Sequence, residues 1–368
     1  MKTIFIDGTS LCFPVLKSIA NILENTLPLL SKTYKIVLIL PKEIDKSYIQ
    51  QLGISDVVFN SGLNSDNFSI VDFIFRYLPG TRQIIRKYNP DFFWNPLSYY
   101  PFQRINSKTK FITMIHDLFT LHPVSKRSFL KKIIFKKLIG DTLKNVDGVI
   151  VPSAFTLASL ELFFPKEIKK TRVKVIYNGI SLPSHSSSYA EYQKPQDDYI
   201  LFIGRLSYWK GTDILLDLYD RYNYNRYKLV LAGVIDDRAI EIKLKKVLQT
   251  NPNVIYKGFI SDSEKEMLYK NARLFIYPSR YDGFGLPPLE AAIRKTPVIM
   301  SNIPVLYEIT HGKGLYFDVR TGVSDLLQIL ESVDDTTLKK TAEELYKVAR
   351  GYSWKTFVEN FVDFTNRI

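Results

Sequence analysis

The chain has 368 residues, 46% hydrophobic and 24% charged, which suits two folded domains and excludes a disordered tail. A single cysteine, Cys12, excludes an internal disulfide and a cysteine-rich zinc site, and no run of about 18 apolar residues offers a membrane span. The net charge of +13 sits almost wholly in residues 1–190, where 25 Lys and Arg face 13 Asp and Glu, so an anionic partner is expected for the first half.

The opening MKTIFIDGTS has no apolar core of a leader peptide, which makes a cytoplasmic protein the expectation. Runs rich in Val, Ile, Phe and Tyr then predict strands at 3–6, 35–40, 57–59, 91–94, 111–115, 148–151 and 173–177. Six more follow at 199–203, 228–231, 254–256, 274–277, 298–300 and 315–317. They are continuous rather than alternating, as in sheets covered on both faces. Helical patterns at 236–249, 263–271 and 287–294 lie between them, and this alternation predicts an α/β chain with two doubly wound parallel sheets. Residues 181–198, SLPSHSSSYAEYQKPQDD, are polar and serine-rich with two prolines, a linker between a domain at 1–185 and one at 196–351. Residues 352–368 carry Trp354, Phe357, Val358, Phe361, Val362 and Phe364 at helical spacing.

Three segments carry chemistry. In PSRYDGFGLPPLEAA (278–292) a buried strand enters a loop with Gly283 and Gly285 and then a helix, a place where free N–H groups meet an anion such as a diphosphate. Asp282 and Glu290 flank that loop; the same spacing also fits a plain turn with a solvated Asp. GRLSYWKG (204–211) sets Arg205 and Lys210 at the C-terminal end of a strand, where cations suit phosphate oxygens, or are simply solvated. His116, in IHDLF (115–119), ends a strand in the first half, facing a cleft or paired structurally with Asp117. Neither Gly-rich segment has the GxGxxG or GxxxxGK[ST] spacing, which weakens oxidoreductase and NTPase readings.

With PVIMSNIPVLYEI (297–309), GLYFD (314–318), VPSAFT (151–156) and YNGI (177–180), these motifs in this order resemble the retaining glycosyltransferases of family four, of the bacterial surface-polysaccharide type. The resemblance implies the GT-B fold, two Rossmann-like domains facing a cleft, with the acceptor mostly on the first and the terminal helix packed back on it. It further implies that Arg205 and Lys210 bind the donor diphosphate, that Glu290 accepts from ribose hydroxyls, and that Phe284, Gly285 and Leu286 present N–H groups to phosphate and sugar. His116 and Asp282 would contact the transferred sugar, and Gly258, Phe259 and Ile260 would lie along the base. The family's acidic pair is two glutamates; here the first is Asp282, one methylene shorter.

The expected donor is a nucleotide diphosphate sugar, GDP-mannose ahead of UDP-sugars, and the expected acceptor a glycan or lipid-linked glycan. Retention without an evident carboxylate nucleophile suggests attack on the face the phosphate leaves, with cations in the place of a metal ion and no cofactor. Another GT-B enzyme, such as a nucleotide-sugar epimerase or a phosphorylase-like enzyme, is the alternative. A basic nucleic-acid-binding protein is disfavoured, because no nucleic-acid module pattern is present. Finally, KRSFLKKIIFKKLI (126–139) holds six cations, no acid and seven apolar residues. With Leu130, Ile133, Ile134 and Leu138 on one stripe, it reads as a basic amphipathic helix. Either it presents Lys131, Lys132, Lys136 and Lys137 to an anionic membrane at the inner face of the plasma membrane, or it packs in the domain with solvated lysines.

Overall fold

Buried parallel strands are short and apolar because both of their faces must leave water. The computed structural model, which describes residues 1–54, 56–63, 68–100, 108–181 and 198–368, places a strand at every predicted run. In chain order they are β1 (Thr3–Asp7), β2 (Lys35–Leu40), β3 (Asp56–Phe59), β4 (Phe92–Asn95), β5 (Lys110–Met114), β6 (Gly148–Val151) and β7 (Arg172–Val175). There follow β8 (Tyr199–Ile203), β9 (Lys228–Ala232), β10 (Val254–Tyr256), β11 (Leu274–Tyr277), β12 (Val298–Ser301) and β13 (Leu315–Phe317). Several begin or end on a polar residue that the apolar runs omit, such as Asp7 and Asn95. Ladder pairing is a property of the backbone, and Asp7 pairs with Ile39 as regularly as Ile6 does with Leu38.

The strands form two all-parallel sheets, β3-β2-β1-β4-β5-β6-β7 and β10-β9-β8-β11-β12-β13. The chain divides accordingly into one unit of Met1–Gly179 with Ser353–Ile368 and a second of Ile180–Tyr352. Apart from Ser181 and Asp198, the expected linker 181–198 lies outside the described residues.

The first unit is closed by the terminal helix Trp354–Arg367. Ser353 caps it, accepting from Thr356 N at 3.0 Å, and its buried face holds Trp354, Phe357, Val358, Phe361 and Phe364. Phe361 lies 4.7 Å from the Trp94 ring, and Tyr34 and Thr365 share a hydrogen bond of 2.6 Å. Gly179 lets the helix start close by, since a Cβ there would collide with the Trp354 backbone. The basic segment is also a helix, Phe129–Asn145, but its expected apolar stripe does not act as one surface. Ile139 and Leu143 are buried and Phe135 and Leu138 pack on the core, whereas Phe129, Leu130, Ile133 and Ile134 are exposed. Apolar residues surround the first turns on more than one side, and one side alone can face the sheet.

Asp7 ends β1 with no exposed surface. Its Oδ1 accepts from Thr9 N at 2.9 Å, while Oδ2 is buried without a partner. Burial outweighs the hydrogen bonds and pushes its pKa up to about 6. A carboxyl raised in this way is best tolerated protonated, so its contribution is intact below pH 3.8 and is lost as pH rises through 6. Asp7→Asn should therefore stabilise the first unit by about 2–3 kcal/mol at pH 8 and by little at pH 4, measured by denaturant unfolding at both pH values.

Candidate active site

A doubly wound sheet opens a crevice where its strand order reverses, between loops leaving neighbouring strands in opposite directions. In the six-stranded sheet that point is the β8–β11 pair, with Leu274 beside Ile200 and Phe275 beside Leu201. GRLSYWKG leaves β8 and PSRYDGFG leaves β11, so residues about seventy positions apart meet at one edge.

The two loops are tied together before any ligand is considered. Arg280 donates its backbone N–H to Trp209 O at 2.8 Å, and its guanidinium forks the Asp213 carboxylate at 2.7 and 2.8 Å. The same guanidinium lies 4.1 Å over the Tyr208 ring, a geometry a lysine could not reproduce. Gly211, at φ +72°, runs against the Pro278 carbonyl so closely that any side chain would collide with it.

Lys210 stands just before that glycine and is 8% exposed. An ammonium taken out of water needs acceptors. Lys210 finds them in Asp282 Oδ1 and in the Tyr277 hydroxyl at 2.7 Å, with the Trp209 and Tyr277 rings 4.3 and 5.2 Å from its Nζ. Asp282 Oδ2 is buried and without a partner. Tyr277 itself is buried, and desolvation followed by the Asp282 charge pushes its phenol well above the usual range.

Glu290 is held separately, on the helix Leu286–Ala292. Lys265 approaches its Oε1 at 3.3 Å and the Tyr269 hydroxyl donates to Oε2 at 3.2 Å. Arg294 donates to the Glu290 carbonyl at 2.8 Å. The two carboxylates flanking the loop thus have different cations. Pro287 and Pro288 remove two donors from the start of this helix, so an anion expected there depends on the N–H groups of Gly285 and Leu286.

Arg205 stands five residues before Lys210 on the same loop. Its side chain is exposed and its Nη1 lies 3.3 Å from Asp236. The ends of β8, β9 and β10 are linked: Gly204 N donates to Ala232 O at 3.0 Å and Gly233 N to Gly258 O at 2.7 Å. Gly258 leads into Phe259, which is 79% exposed, and into half-buried Ile260. Phe284, by contrast, is buried edge-on against Tyr352.

His116 belongs to the first unit, at the end of β5. Its Nε2 is 2.7 Å from Pro96 O, a carbonyl that can only accept, so Nε2 carries the proton. Burial, opposed by that hydrogen bond and by the Asp117 charge, holds the ring's pKa below the ordinary imidazole value. Asp117 accepts from Phe119 N at 2.9 Å. Sequence reasoning missed Tyr277, Trp209, Lys265 and Tyr269. Among the described residues, no three His, Cys, Asp or Glu side chains stand together as a metal-ligand set.

Comparison with known proteins identifies the family and the fold. Residues 187–349 match the family described as glycosyl transferases group 1, and residues 31–183 match glycosyltransferase family 4. The chain is 25% identical over 285 residues to the O-antigen chain mannosyltransferase RfbU of Salmonella typhimurium, covering 76% of each. It is 27% identical over 300 residues to the O-antigen chain mannosyltransferase B of Escherichia coli, again covering 76% of each. Among solved structures, the sucrose-phosphate synthase of Thermosynechococcus elongatus superposes with a TM-score of 0.75 at 15% identity, over 100% of this chain and 99% of that one. Anabaena HepE in complex with UDP and glucose superposes with a TM-score of 0.67 at 17% identity, over the full length of both. The chain has the GT-B fold and belongs to the family-four glycosyltransferases.

Proposed function

We propose that this glycosyltransferase moves a hexosyl group, mannosyl first among them, from a nucleotide diphosphate sugar to a lipid-linked glycan, with retention and with no cofactor or metal ion. The observation that carries the reading is the near-buried Lys210 ammonium, fixed at the sheet crossover between the two stitched loops. Arg205 and Lys210 bind the diphosphate, Glu290 takes the ribose hydroxyls, and Asp282 orients the sugar. Gly285, Leu286 and Phe284 offer backbone donors, and Gly258, Phe259 and Ile260 line the base. The bond from the anomeric carbon to the diphosphate breaks as the acceptor oxygen attacks from the same face, and the leaving phosphate takes the acceptor's proton. Charge grows on that phosphate in the transition state, so a preorganised cation lowers the barrier. The mannosyltransferase relatives support mannose and hence GDP-mannose, while the UDP and glucose held by HepE keep UDP-sugars in the test.

A screen of nucleotide sugars, read as release of GDP or UDP, tests the reading. Lys210→Ala should cut turnover about a hundredfold or more while the protein stays folded, and EDTA should leave transfer intact. Turnover at the wild-type level in a folded Lys210→Ala protein would remove the diphosphate assignment.

His116 enters through its tautomer. With the proton on Nε2, Nδ1 is an acceptor for a sugar hydroxyl. Nitrogen-detected NMR of the imidazole should show Nε2–H as the neutral form and a titration midpoint below 6.5; a midpoint above it would contradict both burial and this role.

The anionic surface expected for the basic half is a bilayer on the cytoplasmic side, where a lipid-linked acceptor is met. No helix among the described residues is long and apolar enough to cross a membrane. The helix Phe129–Asn145 supports surface contact instead: Phe129 (80% exposed), Leu130 (65%), Ile133 (49%) and Ile134 (50%) accompany Lys131, Lys132, Lys136 and Lys137. Apolar side chains insert and lysines attract anionic headgroups at roughly 1 kcal/mol each. Flotation with vesicles of anionic and of neutral lipid should show binding to the former alone, weakened by high salt. Changing the four lysines to Ser should abolish it without altering donor hydrolysis, and equal binding to both vesicles would return the segment to an ordinary surface helix.

A further inference from the structure

Lys210 has three N–H donors and two protein acceptors, one on Asp282 and one on the Tyr277 phenol. The direction of the remaining N–H is set by where those two acceptors stand. Asp282 lies on the loop and cannot fix it alone, because an ammonium on a four-carbon stem swings about a single partner. Tyr277 is different in kind. It is the last residue of β11, at the centre of the sheet, paired with Met300 of β12, and its ring is stacked between Phe202 at 6.3 Å and Phe275 at 6.0 Å. Its hydroxyl is therefore held by the sheet rather than by a loop.

We infer that Tyr277 is a positioning residue of the transfer reaction, its phenol oxygen holding one N–H of Lys210 so that the third points to the donor diphosphate. The inference rests on the diphosphate role of Lys210. Tyr277 touches neither the sugar nor the phosphate in this scheme and acts through the Lys210–Asp282 pair, since its phenol also meets the Asp282 carboxylate. A misaimed ammonium still attracts the ground-state diphosphate, which other groups also hold. It serves the transition state less well, because there the new charge is concentrated on the leaving oxygen.

The test is Tyr277→Phe, which keeps the ring, its stacking and its place in β11. Steady-state kinetics with the donor found by the screen should show kcat lower by about tenfold or more, donor KM within about threefold, and an unchanged melting temperature. In a Lys210→Ala background the same substitution should cost much less than in the wild type, since the ammonium it positions is gone and only its contact with Asp282 is left to lose. The inference is overturned if kcat of Tyr277→Phe stays within about twofold of wild type, if KM and kcat worsen together with the melting temperature, or if the loss multiplies with that of Lys210→Ala. Absence of donor turnover in the wild-type protein would instead overturn the donor reading beneath it.

Discussion

A lysine ammonium removed from water at the crossover of a parallel sheet is the feature around which the second unit is arranged. Desolvating such a charge costs several kcal/mol, and pairing it with a carboxylate returns much of that without a large net gain in stability. The pair Lys210–Asp282 is thus poorly explained as a fastening. The fastening is done beside it, by the Arg280–Asp213 fork, by the Arg280 N–H to Trp209, and by the contact of Gly211 with Pro278. These hold two loops from distant parts of the chain at a fixed separation. Only then can a charge on one and a carboxylate on the other meet with so little exposed surface.

The sheets were readable because their physics is local: strands buried on both faces must be apolar throughout, and each was visible as a run. Their limits were less readable, since Asp7, Asn95 and Ser301 hold backbone ladder positions that hydropathy does not mark. In the site, Lys210, Asp282 and Glu290 could be found from chemistry-bearing residues near glycines and strand ends. Tyr277 could not, because a tyrosine closing the run Leu274–Tyr277 is indistinguishable from core until the partner of its hydroxyl is known. Lys265 and Tyr269 were hidden for another reason: they sit on the helix Asp262–Asn271, and its packing against Glu290 is a tertiary fact. The basic helix shows the converse error. Its stripe at 130, 133, 134 and 138 looked uniform, yet the sheet takes Leu138 and leaves the other three in water.

That division within one helix follows from its length. Seventeen residues at about 1.5 Å each span some 25 Å, longer than the stretch of sheet that a covering helix needs to shield. The second half satisfies the core through Ile139 and Leu143, and the first turns extend past it. Exposing Phe129, Leu130, Ile133 and Ile134 together is costly for a protein that stays in water. The lysines interleaved with them keep the overhang soluble.

The shorter acid at position 282 fits the same economy of contacts. A carboxylate has two oxygens and can serve two donors at once. In Asp282 one oxygen is on Lys210 and the other is buried without a partner, a state that is unfavourable unless a donor arrives. The missing methylene leaves the contact with Lys210 intact. It keeps the carboxylate close to the end of β11, where Tyr277 and Lys210 already stand.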